Sequence, residues 1–196
     1  RIASYILEEM LKGNIKQGDR LVESKIAQEL NVSQAPVREA LYILEMKNVV
    51  ERFPRKGVRV RVIDNKEISD YIEALKGIVR LSGELITEWS EAKFSELQQI
   101  YDAAQTELDN GNIENYVQHA ANFFSAFVSW TNNSVLQHFI SEIVFVTNVF
   151  ANTNWDQALI ERFHAKLTAG MESLKDQDFK RACELFTDTI WITIES

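Results

Sequence analysis

The residues of this chain best suited to specific chemistry lie at the start of one short predicted helix, just after Val32. They are Ser33, Gln34, Ala35 and Arg38. An arginine fork binds the O6 and N7 atoms of guanine, and a glutamine amide favours an adenine edge, each worth roughly 1–3 kcal/mol of base discrimination. Backbone N–H groups at a helix start can also bind a phosphate. This set predicts a helix end that reads bases in the major groove of duplex DNA.

A second set of residues is suited to holding the phosphate backbone. It comprises Lys25, Arg55 and Lys56, with Gly57 allowing the backbone of a hairpin to approach the duplex closely. Each lysine taken alone could equally be a solvated surface charge. The basic hairpin tip together with Arg38 favours contact with DNA.

The elements that must position these residues are three short helices followed by a hairpin. Apolar residues at helical spacing predict helices over Arg1 to Lys12, from Glu23, and from Ser33, which is a favourable N-cap residue. Two β-branched runs, at 49–50 and 58–62, flank the basic segment and predict the hairpin. Alternation in the second run places Val58, Val60 and Val62 on the core face and Arg59 and Arg61 in solvent. These elements predict a winged helix-turn-helix.

Charge is distributed unevenly along the chain. Residues 1–62 carry 12 Lys and Arg against 8 Asp and Glu, whereas the remainder carries 9 against 21. A basic first third joined to an acidic remainder indicates that only the first third binds a polyanion, although chance variation in surface charge is an alternative.

Helical periodicity dominates from about residue 66 to the end. Predicted helices cover 66–90, 93–110, 113–132, 134–152, 156–174 and 178–195. Six helices of this length form an antiparallel bundle. The predicted fold is therefore mainly α, with a DNA-binding winged helix-turn-helix at 1–64 and an all-helical domain for effector binding and dimerisation at 65–196.

The run from Gly18 to Leu41 closely resembles the DNA-binding domain of the GntR family of bacterial regulators. Its core reads Val-Ser-x-x-Pro-Val-Arg-Glu-Ala-Leu, and the match continues through Leu44-Glu45, Val49-Val50 and the Arg55-Lys56-Gly57 segment. The helical remainder is similar, by helix count and length, to the FadR-type branch with its FCD-type effector domain. The resemblance implies that Arg38 contacts DNA. Gln34 is a departure, because the family usually has arginine there.

The same resemblance implies a divalent metal held by one Asp and three His inside the bundle, beside a carboxylic-acid effector. The matching positions here are Ala120, Phe124, Leu167 and Thr189. None of these side chains is a metal ligand, and His164, one helical turn from Leu167, cannot make a site alone. We therefore expect no metal cofactor.

The resemblance also implies an arginine that meets the effector carboxylate, and its position falls near Leu75. Arg80 is the nearest replacement, with Lys76 a second. We expect the effector pocket to involve Arg80, Phe124, His164 and Thr189, and to be more apolar than is usual or else vestigial. The expected effector is a small molecule, with an organic acid the class that the resemblance suggests.

Other functions receive less support from the sequence. The chain has no glycine-rich phosphate loop, nucleophile elbow or His-Glu-x-x-His pattern, so we do not expect an enzyme. The single cysteine, Cys183, and the lack of an apolar run of roughly 20 residues predict a cytoplasmic protein without a membrane span. We expect a homodimer that reads a palindromic operator, with repression the expected mode. The alternative is a winged-helix adaptor that contacts proteins and binds no effector.

Overall fold

The structure, a computed structural model, describes residues 1–192, except for the side chains of residues 152 and 153. The chain divides into two compact units, Arg1–Asp64 and Asn65–Ser196. The first unit contains α1 (Ile2–Leu11), β1 (Arg20–Leu21), α2 (Glu23–Glu29), α3 (Gln34–Met46), β2 (Val50–Phe53) and β3 (Gly57–Val60). The second contains α4 (Asn65–Leu85), α5 (Glu91–Asp109), α6 (Ile113–Ser129), α7 (Ser134–Asn154), α8 (Gln157–Lys175) and α9 (Phe179–Trp191). The mainly α fold expected from the sequence is confirmed.

The first unit is built around one face of α3. Its apolar side chains at helical spacing, Val37, Leu41 and Leu44, are fully buried and lie towards α1 and α2. Ile6 of α1 is also completely buried. Because one stripe of α3 is used for packing, the opposite stripe is left at the surface.

A small antiparallel sheet completes this unit, in the order β1-β3-β2. β2 pairs with β3 from Val50 opposite Val60 to Phe53 opposite Gly57. The sequence did not predict β1, which is only two residues long and pairs with the far edge of β3. The expectation that Val62 faces the core is wrong: β3 ends at Val60, and Val62 is 63% exposed.

The hairpin tip between β2 and β3 has a tightly defined backbone. The N–H of Lys56 donates to the carbonyl of Phe53 at 3.1 Å. Arg55 and Gly57 both have positive φ angles, of 62° and 84°. Glycine adopts such an angle without steric cost, whereas Arg55 adopts it under local strain. The tip therefore presents Arg55 and Lys56 on a fixed backbone turn.

The helices of the second unit are joined by short turns whose polar residues cap the following helix. Side-chain oxygens accept a backbone N–H from the first turn of α5, α6, α7, α8 and α9; the capping residues are Ser90, Asn112, Asn133, Asp156 and Asp178. Each such cap stabilises its helix by about 0.5–2 kcal/mol. The helix predicted at 134–152 continues to Asn154, and Asp156 caps the next helix. The last residues of the helix predicted at 178–195 lie outside the described residues.

Helix α7 is unusually apolar for its exposure. Its segment Ser134–Ala151 has a mean hydropathy of 1.3, and only 22% of it is buried. By length and composition alone this is the one described helix that could cross a membrane, which is weak evidence because core helices of soluble proteins pass the same test. His138 and Glu142 interrupt the apolar residues of this segment, which is why it does not stand out in the sequence as a continuous apolar run.

Candidate DNA interface and ligand pocket

The start of α3 is exposed at the surface of the first unit. The side chains of Ser33, Gln34 and Ala35 are all exposed, and that of Arg38, one turn further on, is 63% exposed. Ser33 has the backbone conformation of an N-cap, but its side chain makes no capping hydrogen bond. The first N–H groups of α3 are thus open to an external acceptor such as a phosphate.

Arg38 is held by an acidic residue on the preceding helix. Its Nε and Nη2 atoms both lie 3.1 Å from Oε2 of Glu23. The other carboxylate oxygen of Glu23 lies 3.8 Å from Nη1 of Arg52, whose Nε donates to Oε2 of Glu45 at 3.2 Å. The result is a chain of alternating charges that links α2, α3 and β2. It orients the Arg38 guanidinium while leaving most of it in solvent.

Three further cations are arranged on the same unit. Lys25 lies on α2, and Arg55 and Lys56 lie at the hairpin tip; all three are exposed. Within the described residues none of the three forms an ion pair. Their positive charge is therefore available to phosphate groups, the chemistry expected of them from the sequence.

The second unit contains a small apolar pocket of about 50 Å³. Its walls come from α4, α6, α7, α8 and α9 and from Trp155 at the α7–α8 junction. The apolar wall residues include Leu75, Ala120, Phe124, Val144, Phe163 and Ile190. Thr147 and Asn148 also line it. The hydroxyl of Thr147 donates to backbone carbonyls of its own helix, at 3.1 and 3.2 Å.

The residues at the positions implied for a metal do not fit one. Ala120 and Phe124 form part of the apolar wall, and Leu167 is completely buried. The hydroxyl of Thr189 donates to the carbonyl of Leu185 at 2.7 Å, so it is used within its own helix. Over the described part of the chain, no three His, Cys, Asp or Glu side chains are placed to hold a metal ion.

His164 belongs to a different environment, a buried cluster with two tyrosines. The Tyr116 hydroxyl lies 3.2 Å from Nδ1 of His164, and the Tyr101 ring stacks on the imidazole with centroids 4.9 Å apart. Burial lowers the pKa of His164 from its ordinary value of 6.5, an effect that Asp109 partly opposes. Burial also raises the pKa of Tyr116, so its phenol is neutral and can donate to Nδ1. This cluster indicates a neutral imidazole in the folded protein.

The basic residues suggested for effector binding also lie elsewhere. Arg80 lines a surface groove of about 470 Å³ between α4 and α9, together with Lys180 and two glutamates. Lys76 lies over the ring of Trp191, with Nζ 4.1 Å from its centroid. Of the four residues proposed from the sequence, only Phe124 lines the apolar pocket.

Several residues at these sites were missed by sequence reasoning. Glu23 and Arg52 are separated by 29 positions in the chain, so no local pattern could pair them. Trp155 and Asn148 were missed because the pocket that they line is assembled from five helices that are distant in the sequence. The general signal that could have found Trp155 is an aromatic residue at a helix junction, which is common and unspecific.

Two family models match the chain, one within each of the two compact units. The family model described as "Bacterial regulatory proteins, gntR family" matches residues 1–60. The model described as "FCD domain" matches residues 76–190.

Several proteins named as bacterial transcriptional regulators or repressors are similar in sequence. An uncharacterised HTH-type transcriptional regulator, YdhC of Bacillus subtilis (strain 168), is 23% identical over 136 residues, or 68% of this chain and 61% of that protein. A probable D-xylose utilization operon transcriptional repressor of Paenarthrobacter nicotinovorans is 23% identical over 69% of this chain and 60% of its own length. The gluconate operon transcriptional repressor of Bacillus licheniformis is 37% identical over 36% of this chain and 28% of its own length. The matched region thus spans about three-fifths or less of these relatives.

Solved structures share the fold over nearly the whole chain. The structure of McbR/YncC from E. coli has a TM-score of 0.83 at 18% identity, covering 97% of this chain and 92% of that one. A putative GntR transcriptional regulator from Rhodococcus sp. RHA1 has a TM-score of 0.86 at 19% identity, with the same coverage. At these identities the likeness establishes the fold.

Proposed function

The chain belongs to the GntR family of bacterial regulatory proteins and carries an FCD domain, and from that premise we propose that it is a sequence-specific DNA-binding repressor controlled by a small molecule. The observation that carries the proposal is the exposed start of α3, with Arg38 oriented by Glu23 and with three exposed cations, Lys25, Arg55 and Lys56, on the same unit. Two relatives named as operon repressors support the mode of regulation.

The DNA-binding step follows from the placement of these side chains. The start of α3 enters the major groove, where Arg38 binds a guanine edge and Gln34 an adenine edge. Lys25, Arg55 and Lys56 neutralise phosphates and fix the register of the unit on the duplex. Gln34 offers an amide where the family usually offers a cation, so the preferred operator differs from the family's common one.

A homodimer provides the second half of the recognition surface. One winged helix reads only a few base pairs, whereas two copies related by a twofold axis read a palindrome. The exposed apolar face of α7, which includes Val135 and Phe139 at 59% and 52% exposure, supports a second copy as its cover. A bacterial repressor that binds chromosomal DNA in this way acts in the cytoplasm.

Salt dependence of DNA binding tests the proposal directly. A duplex selected from a random pool by the protein is titrated at several salt concentrations, and log K is plotted against log[salt]. Three phosphate-binding cations in each of two copies predict a slope of about −5. Arg38→Ala should abolish preference for the selected duplex without unfolding the protein. A shallow slope, or selection of no sequence, would instead favour an adaptor that uses the winged helix for protein contacts.

A further inference from the structure

The apolar pocket of the second unit has the wrong chemistry for the anionic ligand that a metal-containing pocket would take. Its walls are aliphatic and aromatic, and none of the described residues that line it has an ionisable side chain. The basic residues Arg80 and Lys76 are used elsewhere, in the α4–α9 groove and against Trp191. A carboxylate entering this pocket would lose its hydration without gaining a cation or a metal, and that loss is strongly unfavourable.

One of the residues that line the pocket has a buried polar atom without a protein partner. The indole Nε1 of Trp155 is buried, and no described residue accepts a hydrogen bond from it. The ring is fixed against Phe163, with centroids 4.9 Å apart. A buried N–H without an acceptor destabilises the protein, and a ligand oxygen that accepts its hydrogen bond removes that cost.

We propose that this pocket binds a small uncharged molecule that combines an apolar body with one hydrogen-bond acceptor, such as a ketone or an ester, and that Trp155 donates to that acceptor. The proposal rests on the proposed function, since it names the chemical class of the effector. It replaces the organic acid expected from the resemblance.

The size of the pocket limits the ligand further. An apolar protein cavity of roughly 150 Å³ takes benzene. The volume here is about 50 Å³, so a ligand that leaves the walls in place has only a few non-hydrogen atoms. Asn148 also lines the pocket and is 4% exposed. Its side-chain amide already donates a hydrogen bond to Oε1 of Gln118, at 3.2 Å.

Two probes of similar bulk, 2-butanone and propionate, separate hydrogen bonding from charge, and xenon serves as a smaller, purely apolar probe. The intact chain has four tryptophans, so its ¹⁵N-labelled indole N–H signals are few, and Trp155→Phe assigns the relevant one. We expect 2-butanone to saturate a downfield shift of the Trp155 indole proton. Xenon should bind without that downfield shift, and propionate should leave the signal unchanged at neutral pH.

Two variants test the site itself. Trp155→Phe removes the N–H and leaves an aromatic ring in the wall, so it should weaken 2-butanone binding by about three- to tenfold without weakening xenon binding. The matched control for this variant is Trp89→Phe, which alters a tryptophan outside the pocket. Ala120→Leu fills the pocket and should abolish binding of 2-butanone and of xenon. Variant folding is checked by the remaining indole signals.

The outcomes distinguish this inference from the proposed function. A propionate-induced shift equal to that of 2-butanone, or no shift with 2-butanone at any concentration, overturns the inference whether or not the protein binds DNA. Failure of DNA binding with an intact 2-butanone response overturns the proposed function and leaves the pocket's ligand class standing.

Discussion

Both Nε and Nη2 of Arg38 lie 3.1 Å from one oxygen of Glu23, so the residue proposed to read bases is oriented before any DNA is present. The pair is exposed, and such pairs contribute only about 0–1 kcal/mol to stability. Its value is in positioning, because an arginine that is already ordered loses less conformational entropy when it binds a base.

Glu23→Gln should therefore reduce specificity more than stability. Removing the carboxylate frees Arg38 and deletes a negative charge near the duplex, so affinity for scrambled DNA should rise. We expect the ratio of specific to non-specific affinity to fall by about three- to tenfold, from the loss of one oriented contact. Fluorescence anisotropy with selected and scrambled duplexes measures the ratio.

The matched control for this experiment is Glu39→Gln. Glu39 is an exposed carboxylate next to Arg38 on α3, so its substitution makes the same change in net charge. If both variants change the ratio equally, the effect is one of charge alone, and the positioning role of Glu23 is wrong.

The hairpin tip should contribute to the salt dependence of DNA binding and should not affect which DNA sequence is preferred. Arg55→Ala or Lys56→Ala removes one phosphate contact per copy, so each should reduce the magnitude of the salt slope by about 1 for each copy bound. Affinity should weaken by a similar factor for all sequences. Lys12→Ala is a suitable control, because Lys12 lies on α1 and is paired with Glu9 at 3.2 Å. An altered base preference in the tip variants would contradict the assignment.

His164 should make stability depend on pH. Burial lowers its pKa in the folded protein, whereas the unfolded chain binds the proton near the ordinary value of 6.5. Below 6.5 the unfolded state binds more protons, so stability present at pH 7 is lost as the pH falls through the lowered pKa. The thermal midpoint should fall over that range, and His164→Gln should flatten the dependence. The exposed His138→Gln provides the comparison; an equal effect there would remove His164 as the cause.

The ease of prediction differed between the two units for a physical reason. In the first unit the buried stripe of Val37, Leu41 and Leu44 and the hairpin follow from local periodicity, so three helices and both long strands could be placed. Strand β1 could not, because two residues have no period and their pairing with Arg59 and Val58 is non-local.

In the second unit the helices were predictable and the pocket was not. Capping residues such as Asn133 and Asp178 mark helix starts locally, which explains the agreement on element order. Which side chains meet inside the bundle depends on how five elements pack. Phe124, which was singled out from a family position, lines the pocket, whereas Trp155, which also lines it, was not predicted.

Close packing of α8 against α9 depends on a glycine. A Cβ added at Gly170 would overlap the ring of Phe186, which is completely buried, whereas one added at Gly77 on α4 would meet nothing within 4 Å. Gly170→Ala should lower the free energy of unfolding by about 1–3 kcal/mol through overpacking. Gly77→Ala should raise it by about 0.5–1 kcal/mol through helix propensity. Urea denaturation measures both, and a neutral Gly170→Ala would show that the two helices can separate without cost.

The exposed apolar face of α7 predicts where two copies meet. Phe139 is 52% exposed on a helix whose apolar segment is only 22% buried, so a charge placed there would be desolvated in a dimer and harmless in a monomer. Phe139→Asp should weaken dimerisation by at least about 2 kcal/mol, a typical loss at an interface centre. Sedimentation equilibrium measures the dimer, and Leu85→Asp, at a 46% exposed site on α4, serves as the matched substitution. If Leu85→Asp produced a monomer and Phe139→Asp did not, the dimer interface would lie on α4 and not on α7. A monomer produced by Phe139→Asp should also lose its preference for palindromic over half-site DNA, because each copy would then bind independently.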